Sequence, residues 1–386
     1  MDKLIYLDNN STTQIDPLVL EEMLPYLTTA FGNASSSHFL GQKSKTAVNW
    51  SRGQLAELLV CNENEIYFTS GATESINLCF KGVVETSNVK SPHIITVKTE
   101  HPAVLDTCRW LETKGVTVTY LPVSSDGLIN LDELVAAIKP ETILISVMYV
   151  NNETGIIQPI KKISEIAHER NILFMSDATQ AVGKLLFSVY ELGIDIVCFS
   201  GHKFYGPKGV GGVFIRSKRP FKPRVSALLH GGGHERSIRS GTLNVPGIVG
   251  IGKAAELSKQ LVPKENKAIF KFRNQIETSL LEIPNSAVNG NLENRIYSTT
   301  NIRIQGIDAD ALIAAIPNIA ISNGSACSSE SIDPSHVLVA MGLSTEEAFS
   351  SIRVSLGRFN TDDEVNESVA IIQKAVVKLR KFSTSV

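Results

Sequence analysis

The sequence has no paired-cysteine motif, no basic excess and no long apolar run. Each absence excludes a class of protein. Its five cysteines, Cys61, Cys79, Cys108, Cys198 and Cys327, are odd in number and form no CxxC pair. That pattern suits reduced thiols in a cytoplasm better than a disulfide framework, and no metal site is expected. Formal net charge is −2, so the chain lacks the basic excess that broad nucleic-acid binding requires. No apolar run approaches the roughly 18 residues that would cross a bilayer, so no membrane partner is expected. The start, Met1-Asp2-Lys3-Leu4, lacks a basic region followed by an apolar segment, which argues against secretion. Internal repeats and low-complexity tracts are also missing.

What is present fits a soluble globular chain. Hydrophobic residues make up 43% and charged residues 20% of 386 residues, enough for two domains. Short β-rich runs alternate with helical patterns, the signature of an α/β fold with a mostly parallel sheet covered by helices. Strands are predicted at 65–69, 93–97, 116–121, 142–150 and 172–176, with helices from about 72 to 84, 102 to 114 and 159 to 170. Near 258–267, Lys and Glu replace a Gly-rich and apolar pattern, which suggests a domain boundary. Beyond it the pattern is α+β: strands at 299–304, 319–322 and 351–355, and a helix over 308–315. Thr361 with Glu364 makes a capping box for the last helix, whose Val365, Val369, Ile372, Val376 and Leu379 share one face.

The most informative stretch is Ser200-Gly201-His202-Lys203, directly after the apolar run Ile194–Phe199. It is followed by Gly206-Pro207-Lys208-Gly209 and a second apolar run, Val210–Ile215. A strand–lysine–turn–strand unit can hold an amine at the floor of a cleft, which suits a lysine that condenses with an aldehyde cofactor. Upstream, Asp177 ends the run Ile172–Ser176. Ligands in open α/β sheets gather at the carboxyl ends of strands. A strand-end Asp followed by a strand-end Lys reads as pyridoxal phosphate chemistry, the carboxylate keeping the ring nitrogen protonated. Alone, Asp177 reads as the N-cap of a helix beginning at Ala178-Thr179-Gln180.

Other motifs carry both a functional and an ordinary reading. Ser70-Gly71-Ala72-Thr73-Glu74 turns from a strand into a helix and can hold a phosphate at the positive helix end, or simply cap that helix with Thr73. His101, after Glu100, can stack on a planar ring and move protons, or sit on the surface at a helix start. Gly206–Gly212 lacks the spacing of a phosphate loop and runs into a strand. Cys327 lies within Ser322-Asn323-Gly324-Ser325-Ala326-Cys327-Ser328-Ser329, a run of small polar residues that leaves a thiol exposed to react. Cys61, Cys79, Cys108 and Cys198 have apolar or helical surroundings and read as packing. Arg353 alternates with Ile352 and Val354, so it faces away from the apolar side, as a surface charge or as a clamp for a carboxylate.

In order along the chain, these motifs resemble the group I, NifS/IscS-like cysteine desulfurases among the fold type I pyridoxal phosphate enzymes. The resemblance runs through Tyr6–Thr13, Phe68–Ser75, Thr99–His101, Val150–Gly155, Asp177–Gln180, Ser200–Lys203, Arg239–Thr242, Gly324–Cys327 and Ser351–Arg353. It implies a large cofactor-binding domain with a seven-stranded sheet over residues 15–262. A small α+β domain from 1–14 and 263–386 would carry the cysteine loop. Lys203 would bind the cofactor aldehyde and shuttle protons. Asp177 would pair with the ring nitrogen, Gln180 would bond the ring hydroxyl, and His101 would stack on the ring. Thr73, Ser200 and His202 would hold the phosphate, with Thr242 reaching in from a second subunit of a homodimer. Asn152 and Arg353 would bind the carboxylate of L-cysteine, and Cys327 would take its sulfur as a persulfide for transfer to a protein acceptor.

The chain departs from the resemblance in two places. Phe31-Gly32-Asn33 is followed by Ala34 where such enzymes commonly carry proline. The sequence also stops soon after Leu379-Arg380-Lys381-Phe382, short of the tail that helps housekeeping members dock an iron–sulfur scaffold. That leans towards a dedicated desulfurase, such as those of DNA phosphorothioation, with tRNA thiolation and iron–sulfur assembly as other destinations for the sulfur. A selenocysteine lyase is the nearest alternative. An aminotransferase has no need of Cys327, and a non-catalytic interaction protein has no need of Lys203, Asp177 and His101.

Overall fold

In the computed structural model, which describes residues 4–323 and 333–383, the strand runs assemble into three sheets. In chain order the strands are β1 (Ile5–Tyr6), β2 (Ile66–Thr69), β3 (His93–Val97), β4 (Thr117–Leu121), β5 (Thr142–Ser146) and β6 (Leu173–Asp177). They continue with β7 (Ile196–Ser200), β8 (Gly211–Ile215), β9 (Ser286–Val288), β10 (Thr299–Ile304), β11 (Ile319–Ala320) and β12 (Ser351–Ser355). The large sheet has seven strands in the order β2-β8-β7-β6-β5-β3-β4. Neighbours from β7 to β4 are parallel, and only β8 runs against the rest. Central strands β3 and β7 are buried at every residue, which is why they read as continuous apolar runs rather than alternating ones.

Helices cover both faces of this sheet. On one, Phe68, Ile95, Ile145, Phe174, Val197 and Phe214 belong to a core that includes Leu55 and Leu59 of helix Phe39–Leu59. On the other, Ile94, Leu144, Met175 and Cys198 pack with Ile76, Phe80 and Val83 of helix Ala72–Glu85. Alternate residues of one strand thus feed opposite cores, as the two-residue period requires. Each fully buried aliphatic or aromatic side chain contributes about 1.5–3 kcal/mol.

A separate apolar core joins Ile5 and Leu7 to Ile302, Ile304, Ile352, Val354, Val365, Ile372 and Val376. Around it β12-β10-β9 form an antiparallel sheet, and β1 pairs with β11 in parallel. The last helix, Asp362–Ser383, starts with the expected capping box: Thr361 N–H donates to Glu364 Oε2, and Glu364 N–H donates to Thr361 Oγ1.

Two expectations need correction, the strand over 142–150 and the helix after Asp177. The Lys- and Glu-rich stretch at 258–267, where a domain boundary is expected, is helical. It lies within one helix, Val245–Leu281, whose first half packs Ile248, Ile251 and Ala255 into the core of the large sheet and whose second half packs Ile269, Ile276 and Leu280 into the smaller core. The strand expected over 142–150 ends at Ser146. There the Met148 N–H leaves the ladder to donate to Glu100 Oε1, 2.6 Å away. No helix follows Asp177; residues 179–184 form turns. Gly183 sits at φ +75°, and a Cβ there would lie 2.4 Å from Phe204 Cβ, so the chain turns away after one turn.

Candidate active site

The carboxyl ends of β2, β3, β5, β6 and β7 share one edge of the large sheet, because β8 alone is reversed. The segments leaving those ends surround a cavity of about 490 Å³. Thr73, His101, Asn152, Asp177, Gln180, Ser200, His202, Lys203 and Arg353 all line it. Residues far apart in sequence therefore meet for a topological reason, at the side of an open α/β sheet where ligands bind.

Lys203 closes a short 3-10 turn, Gly201–Lys203, directly after β7. Its Nζ donates to the carbonyls of Asn10 and Ser11, each at 2.7 Å. Asp177 ends the neighbouring strand, level with Cys198. It is buried, and its Oδ1 accepts from the Thr179 N–H and hydroxyl. Its Oδ2 has no hydrogen-bond partner among the described residues, which suits a carboxylate waiting for a cationic ring N–H. His101 caps helix Pro102–Glu112, its Nδ1 accepting from the Ala103 N–H at 3.1 Å. Burial holds its imidazole below the ordinary histidine value, with Lys203 adding to the effect and Asp177 opposing it.

Another part of the cavity lining suits an anion. Helix Ala72–Glu85 begins after Gly71 with no side-chain cap, so its first N–H groups face the cavity lined by Thr73, Ser200 and His202. His202 engages Thr12 Oγ1 through Nδ1 at 3.1 Å. Burial, followed by Lys203 and Lys208, lowers its pKa to about 4, so the ring is neutral at pH 7. An uncapped helix end, two hydroxyls and a neutral imidazole form a cradle that fits a phosphate. With Asp177 and Lys203 lining the same cavity, the residues present fit pyridoxal phosphate.

Arg353 is no surface charge. It is 2% exposed, with Nη2 donating to Asp8 Oδ1 and Ser11 Oγ, both at 2.7 Å, and Nη1 to the Asn152 carbonyl at 3.0 Å. Its Nε is buried with no hydrogen-bond partner among the described residues. The side-chain amide of Asn152 is likewise unbonded among them. Together they leave donors for a carboxylate. Thr242 is exposed and does not line the cavity. Cys327 lies outside the described residues.

Sequence reasoning assigned no role to Asn10, although it lies within Tyr6–Thr13. Its backbone carbonyl accepts from Gln180 Nε2 at 2.9 Å and from Lys203, and its side chain bonds the Asn152 carbonyl, Thr299 and Lys184. Lys184 was also missed; a single charge in the apolar stretch Ala181–Phe187 was the available signal. Glu100 is the third. It is fully buried, Oε2 has no hydrogen-bond partner among the described residues, and burial followed by Asp177 pushes its carboxyl well above the ordinary value.

Because burial and Asp177 raise the Glu100 carboxyl above the ordinary value, its ionisation opposes folding. Its stabilising contribution is complete below its unfolded pKa and is lost as pH rises towards the folded one, at up to about 1.4 kcal/mol per pH unit. Glu100→Gln should flatten the decline of stability as pH rises above the ordinary carboxylate range, measured by denaturant unfolding. An unchanged slope would show that Glu100 does not carry it.

Residues 5–367 match the model of the aminotransferase class-V family, and the chain belongs to that family. The cysteine desulfurase IscS of Mannheimia succiniciproducens is 48% identical over 382 residues, 98% of this chain and 94% of that protein. Among solved structures, one titled a NifS-like protein superposes with a TM-score of 0.90 at 37% identity, covering 97% of this chain and 99% of that one. Another, SspA in complex with cysteine, gives a TM-score of 0.82 at 37% identity over 92% of this chain and 100% of that one. No helix among the described residues is long and apolar enough to cross a membrane, and no cluster among them could hold a metal.

Proposed function

We propose that the chain is a pyridoxal phosphate-dependent cysteine desulfurase that converts L-cysteine to L-alanine and leaves a persulfide on Cys327. The observation that carries the reading is the convergence of Lys203 and Asp177 with the uncapped helix end on one cavity, beside Arg353. When bound, pyridoxal phosphate supplies an aldehyde that takes up an amine and a ring that withdraws electrons from the substrate Cα.

The chain's own residues do the rest. Arg353 and Asn152 hold the substrate carboxylate. Asp177 stabilises positive charge on the ring nitrogen, and Gln180 donates to the ring hydroxyl oxygen. His101 lies against the ring, and its neutral imidazole can exchange protons there. Lys203 Nζ takes the Cα proton and returns it. The Cys327 thiolate attacks the substrate sulfur, forming an S–S bond while the C–S bond breaks. The carbon gains the proton, so cysteine plus thiol give alanine plus persulfide with atoms and charge balanced.

The large unit, residues 15–262, carries the cofactor cradle; residues 1–14 and 263–386 contribute Asn10, Ser11, Arg353 and Cys327. A homodimer would let the exposed Thr242 reach the other subunit's phosphate cradle, and its interface could cover exposed apolar residues such as Phe31 and Phe39. A protein acceptor takes the sulfur. The unpaired thiols of Cys61, Cys79, Cys108 and Cys198 fit a reducing cytoplasm.

The test is incubation of the purified protein with pyridoxal phosphate, L-cysteine and a thiol reductant. Alanine and sulfide should appear in equal amounts. Amino-group transfer to an added keto acid, with no sulfide, would overturn the reading in favour of an aminotransferase.

A further inference from the structure

Behind the wall of the cavity lies a second buried amine that the chemistry above does not use. Lys184 is 6% exposed. Its Nζ donates to Gln180 Oε1 at 2.5 Å and to Asn10 Oδ1 at 3.1 Å. Burying a lysine is costly, and here burial, followed by the positive charges of Lys203 and Arg353, brings its pKa down to about 7. A lysine kept there at that cost calls for a reason.

Hydrogen-bond direction supplies one. Both partners of Lys184 are amide oxygens, and the ammonium has only donors. The neutral amine still has two N–H groups, enough for both bonds. In either protonation state the Gln180 oxygen is therefore drawn towards Lys184, and the amide NH2 must point the other way. It donates to the Asn10 carbonyl at 2.9 Å, the same carbonyl that Lys203 bonds, on a side chain that lines the cavity. Asn10 is fixed by the same logic: its Nδ2 donates to the Asn152 carbonyl and to Thr299 Oγ1, leaving Oδ1 for Lys184. Without Lys184 only the Asn10 carbonyl still orders the Gln180 amide, whose two ends have nearly the same shape, so the flipped form becomes easier to reach.

We propose that Lys184 is a positioning residue that locks the Gln180 amide with its N–H groups towards the cavity, so that a cofactor oxygen there meets a donor rather than an acceptor. This rests on the reading of the cavity as a pyridoxal phosphate pocket. A donor on the ring oxygen makes that oxygen less basic. Losing the donor therefore raises the midpoint at which the lysine-bound chromophore gives up its proton.

The experiment is a pH titration of the absorbance of the cofactor-loaded protein, which needs no turnover. Lys184→Met keeps most of the side chain's length and removes its donors. Its midpoint should rise by roughly half to one pH unit, the worth of one hydrogen bond. If the methionine protein does not fold, Lys184→Gln serves: its amide is one bond shorter, cannot reach both oxygens, and should shift the midpoint in the same direction. In a Gln180→Ala background the effect of Lys184→Met should vanish. A shift that persists undiminished there would mean that Lys184 acts only through its charge, and the positioning role would be overturned. It would be overturned equally by an unchanged midpoint in Lys184→Met. If the parent protein shows no band that borohydride bleaches, it is the cofactor reading that fails instead.

Discussion

Lys203→Ala will lose cysteine turnover by a factor on the order of 10⁴ or more, since proton transfer by one positioned group is alone worth about 10²–10⁴ and this amine also anchors the cofactor. Three lysines border the cavity region, and the geometry separates them. Lys208 is exposed. Lys184 is tied behind Gln180 and Asn10. Lys203 sits directly past the end of β7, beside the strand that ends in Asp177. Borohydride reduction of the loaded parent followed by peptide mapping should fix the label on Lys203 alone. Label on Lys184 or Lys208, or turnover of Lys203→Ala within tenfold of the parent, would refute the assignment. Lys203→Ala should still fold, because the Nζ it removes bonds the loop carbonyls of Asn10 and Ser11, and those face a cavity that water can enter.

The sequence is most legible where chemistry and periodicity coincide. β3, β10 and β12 have the bounds that their apolar patterns predict, and Arg353 faces away from Ile352 and Val354 as alternation requires. Such runs locate strand ends, so the apolar pattern alone sets Asp177 and Lys203 at one sheet edge. Burial is harder to read. A two-residue period says which face Arg353 takes but not that another segment, carrying Asp8 and Ser11, covers that face. Likewise, nothing local tells a strand to stop at Ser146. The stop depends on Glu100, 48 residues from its bonding partner Met148. The turns after Asp177 are set by the side chain of Phe204 against Gly183. Lys184 is hidden for the same reason: its value lies in the two amides it orients, and these come together only in the folded chain.

Cys327→Ser will bind the cofactor as the parent does and will form no persulfide, with alanine production reduced on the order of 10³-fold or more. A hydroxyl is a far weaker nucleophile towards sulfur than a thiolate, and the reaction needs the thiolate. The other thiols offer no substitute. Cys79, Cys108 and Cys198 are fully buried and Cys61 is half-buried. Burial pushes the thiols of Cys61, Cys108 and Cys198 up from the ordinary cysteine value, the opposite of what an attacking sulfur needs. Cys61→Ser is therefore the matched control and should turn over cysteine within about twofold of the parent, as expected for a substitution remote from the cavity. The measurement is alanine formed per enzyme without reductant, alongside mass spectrometry of the intact chain. The parent should gain one sulfur atom on a peptide containing Cys327, and Cys327→Ser should gain none while keeping its cofactor absorbance. If Cys327→Ser still produced alanine and sulfide at the parent rate, the sulfur would be leaving without any protein thiol, and the enzyme would be a lyase that releases sulfide directly.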